Sequence, residues 1–243
     1  MRQCDELRGD ELRGVVAVDG PAGTGKSTVA RRLAASLGAR YLDTGAMYRA
    51  AALGVLRAGV EPIAVPGVVS GVVARCHIEV GTDPDVSRVL LDGEDVSREI
   101  RGPAVSTAVS PVSAVAQVRE LLVAQQRRII AAATTGGGIV VEGRDIGTVV
   151  VPDAPLKVFL TATAAARAAR RAAQDGAADV AEIRRAVEAR DRFDATRATS
   201  PMRAAADAVE LDTTALDVDA VLSALRELAL ARGLVVLAAR GRT

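Results

Sequence analysis

Gly20-Pro21-Ala22-Gly23-Thr24-Gly25-Lys26-Ser27-Thr28 follows the apolar run Val15-Val16-Ala17-Val18 and opens a helix-like run from Ser27 to Leu37. The pattern is G-x-x-x-x-G-K-[ST], a phosphate-binding loop set between a buried strand and a helix. Glycines let backbone N–H groups curl around phosphate oxygens, and the helix behind the loop turns its positive end toward the same anion. Gly20, Gly23 and Gly25 meet that need, with Thr24 and Thr28 in the same cradle. Lys26 is placed to reach the β- and γ-phosphates of a bound ATP, and the Ser27 hydroxyl to ligate Mg²⁺.

Working outward, apolar runs alternate with helical patterns. Tyr41-Leu42 reads as a short strand ending at Asp43-Thr44-Gly45, where a small polar residue caps a helix carrying Met47, Tyr48, Arg49 and Leu53 and closing at Gly59. Val68 to Arg75 reads as a short helix, and from His77 the period changes to strands at His77–Val80 and Arg88–Leu91, with Asp92-Gly93 as a hairpin turn before Val96. This ribbon is an insertion in the βα alternation. His77, the only histidine, has no second ligand or nucleophile beside it and reads as structural. A long amphipathic helix is expected from Val115 to Ala133, then core strands at Ile139–Val141 and Leu156–Leu160. Thr161 or Thr163 caps an arginine-bearing helix, Asp179 to Arg197 forms another, and after a last strand at Val209–Leu211 Asp217 caps the final helix, ended by Gly233. The expectation is a three-layer α/β fold with a five-stranded parallel sheet, a small antiparallel β insertion at about 61–103 and a helical lid at about 163–197.

The tandem Asp-Glu-Leu-Arg-Gly copies at 5–9 and 10–14 carry little apolar content, so residues 1–13 are expected to be a disordered leader before one domain spanning 14–243. Basic and acidic residues nearly cancel to a net charge of +1, which gives no reason to expect nucleic acid or an anionic membrane as partner. The first residues lack an apolar signal core, and no run is long enough to cross a bilayer. Cys4 and Cys76 lack metal-ligand spacing and read as free thiols of a cytoplasmic protein. Lys26 and Lys157 are the only lysines, so Lys26 stands out from an arginine-dominated background.

A parallel sheet binds its ligands at the carboxyl ends of its strands. That selects the loop at Gly20, Asp43-Thr44, and Glu142-Gly143-Arg144-Asp145. Glu142, closing an apolar strand, is the candidate to help hold Mg²⁺, against the alternative of a solvated loop acid. Arg144 reads as a phosphate clamp rather than one half of a surface ion pair. The tract from Arg167 to Arg197 has two readings, a solvated face laced with ion pairs such as Glu188 with Arg192, or a lid bringing guanidiniums to a transferring phosphoryl group.

Together with the loop, Leu42-Asp43-Thr44-Gly45-Ala46-Met47-Tyr48-Arg49 and Gly143-Arg144-Asp145-Ile146-Gly147-Thr148-Val149-Val150 resemble the bacterial cytidylate kinase family, as do Gly93–Val96, Val118–Glu120 and Arg190–Asp194 with Arg197. The resemblance implies transfer of the γ-phosphoryl group of ATP to CMP or dCMP. It puts the acceptor phosphate on Arg49, Arg144 and Arg197, the base on Ser110, Arg119 and Asp145, and the ribose on Asp194 with Arg190 in support. Thr44 falls in the acceptor site, where the family often has serine, and Glu142 stands where it often has aspartate. Arg167 and Arg171 fall on the lid; with Lys26, Arg144 and Arg197 they form the expected catalytic set. Cytosine offers an amino donor and two acceptors, which suits a carboxylate beside a guanidinium, whereas uracil reverses two of those groups. The alternatives are a kinase for UMP or shikimate, and a nucleotide-dependent switch, although no guanine-reading Asn-Lys-x-Asp element is present. A monomer is the default expectation.

Overall fold

Val15 and Ala17 alternate with Val16 and Val18 along one strand, and the two sets feed different cores, as the period of two requires. In the computed structural model, which describes residues 9–175 and 179–238, this strand is β2 (Gly14–Asp19), preceded by β1 (Glu11–Leu12) and followed through the loop by α1 (Lys26–Ser36). Next come β3 (Arg40–Asp43) and α2 (Thr44–Arg57), whose N-cap Asp43 accepts a hydrogen bond from the Ala46 N–H. The segment that follows holds α3 (Pro66–Val73) and three short strands, β4 (Ile78–Val80), β5 (Val89–Leu91) and β6 (Glu94–Asp95). These pair antiparallel in that order, turning at Asp92-Gly93, where both residues have positive φ. Helices α4 (Pro103–Ala114) and α5 (Ala116–Thr134) lead to β7 (Gly138–Glu142) and β8 (Leu156–Thr161). The chain continues through α6 (Ala164–Asp175), α7 (Val180–Thr196), β9 (Val209–Asp212), α8 (Val218–Ala231) and β10 (Val235–Val236).

The main sheet has the order β3-β7-β2-β8-β9 with every pairing parallel. One face, including Val15, Ala17, Leu42, Ile139 and Val141, packs on a core shared with α2, α4 and α5. The opposite face, including Val16, Val18, Val140, Leu156 and Val158, packs on α1 and α8. Burial on both faces explains why these strands read as continuous apolar runs. The expected α/β architecture with its small antiparallel sheet is therefore present.

Two expectations need correction. Residues 1–8 lie outside the described residues, but Glu11–Leu12 is a strand and not part of a disordered leader. It pairs antiparallel with Val235–Val236, and Leu12 is buried beneath the second core. One leucine with a distant partner was enough to order a segment that looks polar in isolation. The second correction is α4, which occupies the stretch between Gly102 and Val115 for which the sequence reading gives no helix. Its β-branched and serine-rich composition is a poor local helix signal, and Pro111 lies inside it. Val105, Ala108, Val109 and Val112 nevertheless fall on one helical face and pack into the core beside α2.

Candidate active site

All five parallel strands aim their carboxyl ends at one edge, and the central strand β2 delivers the phosphate loop there. At Gly20 (φ 143°) an added Cβ would sit 2.2 Å from the Leu160 carbonyl oxygen, so only glycine lets the loop cross β8 so closely. At Gly23 (φ 78°) an added Cβ would sit 2.9 Å from the carbonyl oxygen of Arg167, so this glycine admits the root of α6. Helix α1 starts at Lys26 behind left-handed Gly25, presenting its N-terminal N–H groups to the same space. The Lys26 ammonium donates to Pro21 O at 2.7 Å and Thr24 Oγ1 to the same oxygen at 3.1 Å. Burial and the neighbouring Arg144 push the Lys26 pKa down, a cost that an incoming polyphosphate relieves.

Two cavities share this loop. The larger, about 1020 Å³, is walled by Gly25, Thr28, Arg170, Thr213, Leu216 and Val218 among others. The smaller, about 200 Å³, is walled by Thr44, Arg49, Arg119, Arg144, Asp145, Asp194 and Arg197 among others. Lys26, Ser27, Arg49, Arg171 and Arg190 wall both. A donor and an acceptor can therefore meet over one floor.

In the smaller cavity Arg119 pairs with Asp145, both nearly inaccessible, and the Arg119 guanidinium lies 5.1 Å from the centroid of the Tyr48 ring. Asp145 is followed by a turn whose Ile146 and Gly147 N–H groups donate to Asp19 at 2.9 and 2.8 Å. Burial pushes the Asp19 carboxyl up to about 6 despite those two bonds. Arg49 donates to Ile100 O and Ser106 Oγ, and burial lowers its pKa. Arg144 donates to Gly20 O at 2.7 Å and lies 3.5 Å from Asp194. Arg197 lies 3.7 Å from the same carboxylate and donates to Ser200 O at 2.9 Å. Arg190 is brought down to about 10, first by burial and then by Arg144 and Arg49. This crowding of guanidiniums is the electrostatic complement of a phosphate.

Glu142 closes β7 at the floor of the smaller cavity. Ser27 Oγ donates to one of its oxygens at 2.9 Å and the Tyr41 hydroxyl to the other, while Thr44 Oγ1 donates to its carbonyl at 2.7 Å. Burial, and after it the charge of Asp43, pushes the Glu142 carboxyl up. Among the described residues no group of three or more His, Cys, Asp or Glu could hold a metal ion. The oxygens of Ser27 and Glu142 do fit Mg²⁺, a hard cation that takes few protein ligands beside substrate phosphates and water.

Two anticipated residues do not wall the smaller cavity. Ser110 walls the larger cavity and not the smaller one; Ser113, one helical turn on, walls the smaller and donates from Oγ to Ser110 O at 2.9 Å. The turn of α4 that carries both residues was not legible in the sequence. Arg167 walls neither cavity: it donates to Ala22 O and Ala162 O, each at 3.1 Å, and pairs with Asp191. Arg171 is the α6 arginine that walls both cavities. Sequence reasoning missed Asp19, Tyr41 and Thr213; for Asp19 a signal existed, an acid ending the apolar strand immediately before the loop. The arginine tract presents two faces of α7, and Glu188 pairs with Arg184 rather than with Arg192. Arg184 pairs with Glu188 at 2.9 Å outside, while Arg190 and Asp194 face the cavities.

Two anion sites meeting over one phosphate loop at the edge of a parallel sheet make the fold that of a P-loop phosphotransferase. A cytidylate kinase family model matches residues 16–230. A cytidylate kinase from Nocardia farcinica is 57% identical over 215 residues, covering 87% of this chain and 91% of its own. One from Rhodococcus opacus is 57% identical, covering 87% and 92%. The chain belongs to the cytidylate kinase family: it is an ATP-dependent kinase of CMP or dCMP. Among solved structures, an uncharacterized protein from Eubacterium ventriosum is similar at a TM-score of 0.51 and 14% identity, covering 90% of this chain and 99% of its own, a likeness of fold alone.

Proposed function

We propose that ATP occupies the larger cavity with its polyphosphate on Gly20, Gly23, Thr24, Gly25, Lys26, Ser27 and Thr28, and that CMP or dCMP occupies the smaller. The observation that carries this division is the shared wall, since Lys26, Ser27, Arg49, Arg171 and Arg190 border both spaces. The acceptor phosphate lies among Arg49, Arg144 and Arg197, the base against Arg119 and Asp145, and the ribose near Asp194 with Arg190. Thr44 holds the strand ends together beneath it. A CMP phosphate oxygen attacks the γ-phosphorus in line, and the bond from that phosphorus to the β,γ-bridging oxygen breaks, leaving ADP. The acceptor is already anionic, so no general base is required. Lys26, Arg171, Arg190 and Arg144 hold the two anions together and offset their repulsion, and closure of residues about 163–197 excludes water. Ser27 and Glu142 would hold Mg²⁺, which would supply positive charge to offset that of the ATP polyphosphate.

Residues about 61–103 form the acceptor-side insertion of a single domain. No described helix is long and apolar enough to cross a membrane. With a net charge of +1, the chain is proposed to act as a cytoplasmic monomer without nucleic-acid or membrane partners. An ADP-release assay across CMP, dCMP, UMP, AMP and shikimate tests the function. Turnover is expected with CMP and dCMP well above the rest; release with shikimate or AMP alone, or with none, would overturn it.

A further inference from the structure

Asp191 is the first acid on the inner face of α7, and it reaches the phosphate loop itself. The Ala22 N–H donates to Asp191 Oδ1 at 3.0 Å, and the Arg167 guanidinium donates to Oδ2. Arg167 in turn donates to the Ala22 carbonyl at 3.1 Å. One residue of the loop is thus held on both sides, its N–H by α7 and its C=O by α6, so that the two peptide units flanking Ala22 are fixed and the two contacts are joined to each other. Arg144 completes the surroundings at 3.9 Å from Asp191 Oδ1. Side-chain exposures of 13% for Asp191 and 10% for Arg167 keep the ring largely out of water. Gly23 makes the approach possible, because a Cβ there would meet the Arg167 backbone.

The consequence is a division of labour. The Arg167 charge is neutralised by Asp191 and directed at loop backbone, away from both cavities. We propose that Asp191 is a positioning residue: with Arg167 it clamps the Ala22 backbone at its N–H and C=O, fixing the donor loop before ATP arrives and tying the root of the lid to that loop. A loop held in its binding geometry loses less entropy when the polyphosphate docks, and displacement of such a cradle by about 1 Å can cost about 10²-fold in rate. The clamp rests on the phosphotransfer reading above.

Asp191→Asn tests it selectively. The amide oxygen still accepts from Ala22, while the amide NH₂ turns a donor toward the donors of Arg167. The expected result is a loss of about 10- to 100-fold in kcat/KM for ATP, with KM for CMP within about twofold of wild type. Arg167→Gln is expected to give a similar loss, and the double variant to fall within about threefold of the worse single, because both break one ring. Asp191→Glu, which keeps the charge, recovers part of the loss. Wild-type kcat/KM in Asp191→Asn, fully additive losses, or a loss confined to KM for CMP would each overturn the clamp. If Asp191→Asn does not fold, hydrogen exchange at the Ala22 amide of the nucleotide-free wild type decides: protection supports the clamp, and exchange at the rate of an open loop overturns it. A wild type that releases no ADP with CMP would instead overturn the phosphotransfer reading.

Discussion

Replacing Asp145 with alanine should separate the two tasks of the buried pair at the acceptor cavity. Arg119 is 3% exposed, and its guanidinium is neutralised by Asp145 while lying over the Tyr48 ring. Without the carboxylate this charge stays buried with the Ser113 carbonyl, at 3.4 Å, as its remaining hydrogen-bond acceptor among the described residues. Removing one partner of a buried ion pair costs about 3–5 kcal/mol, because the survivor keeps its desolvation penalty. Urea unfolding of the nucleotide-free enzyme at neutral pH should show that loss. Adding Arg119→Met to Asp145→Ala should recover a large part of it, since the double variant strands no charge. In turnover the pair is proposed to read the base as well, and one good two-bond contact to a base edge discriminates by about 1–3 kcal/mol, about 5- to 150-fold. The CMP/UMP ratio of kcat/KM should therefore fall by that factor in Asp145→Ala. A stability loss under about 1 kcal/mol would refute the buried-pair reasoning, and an unchanged ratio would remove Asp145 from base recognition.

Lys26→Ala should leave the circular dichroism spectrum intact and lower kcat by at least about 10²–10³-fold, the usual loss for a single electrostatic donor; wild-type turnover would sink the loop assignment. Gly23→Ala must tolerate a φ of 78° and a contact of 2.9 Å with the Arg167 carbonyl. It should lower stability by about 1–2 kcal/mol or more and raise KM for ATP, both measurable on the purified variant. Asp19 binds its proton more tightly when folded, so its contribution to stability is greatest below the ordinary carboxylate range and is lost as pH rises from 3.8 toward about 6. Asp19→Asn should remove that downward slope, worth about 1.4 kcal/mol per pKa unit at most; identical slopes between pH 4 and 6.5 in the two proteins would count against it.

The phosphate loop, the parallel core strands and the caps at Asp43 and Asp217 were legible because each is a local pattern whose physics acts over a few residues. Arg144 and Asp145 were picked out by their place at the end of a core strand, whereas Arg49, Arg119, Asp194 and Arg197 were reachable only through the family resemblance; the structure gathers all six around one cavity. Helix α4 was not legible, because its stability comes from a valine face against α2 rather than from its own propensity. Which of Ser110 and Ser113 faces which cavity follows from that helix, since the two differ by one turn and only helix orientation places Ser113 on the smaller cavity and Ser110 on the larger.

Sequence alone determined that a polyphosphate is cradled after β2, because a glycine loop, a lysine and a helix start act on the anion within nine consecutive residues. Tertiary structure alone decided how the arginines divide. Arg167, Arg171 and Arg190 look alike in a charge-rich tract, and their roles depend on partners such as Ala22 and Asp191 that are distant in the chain. Long-range pairing also turned Glu11–Leu12 from an apparent leader into a strand, since a two-residue strand has no stability until Val235–Val236 lies beside it.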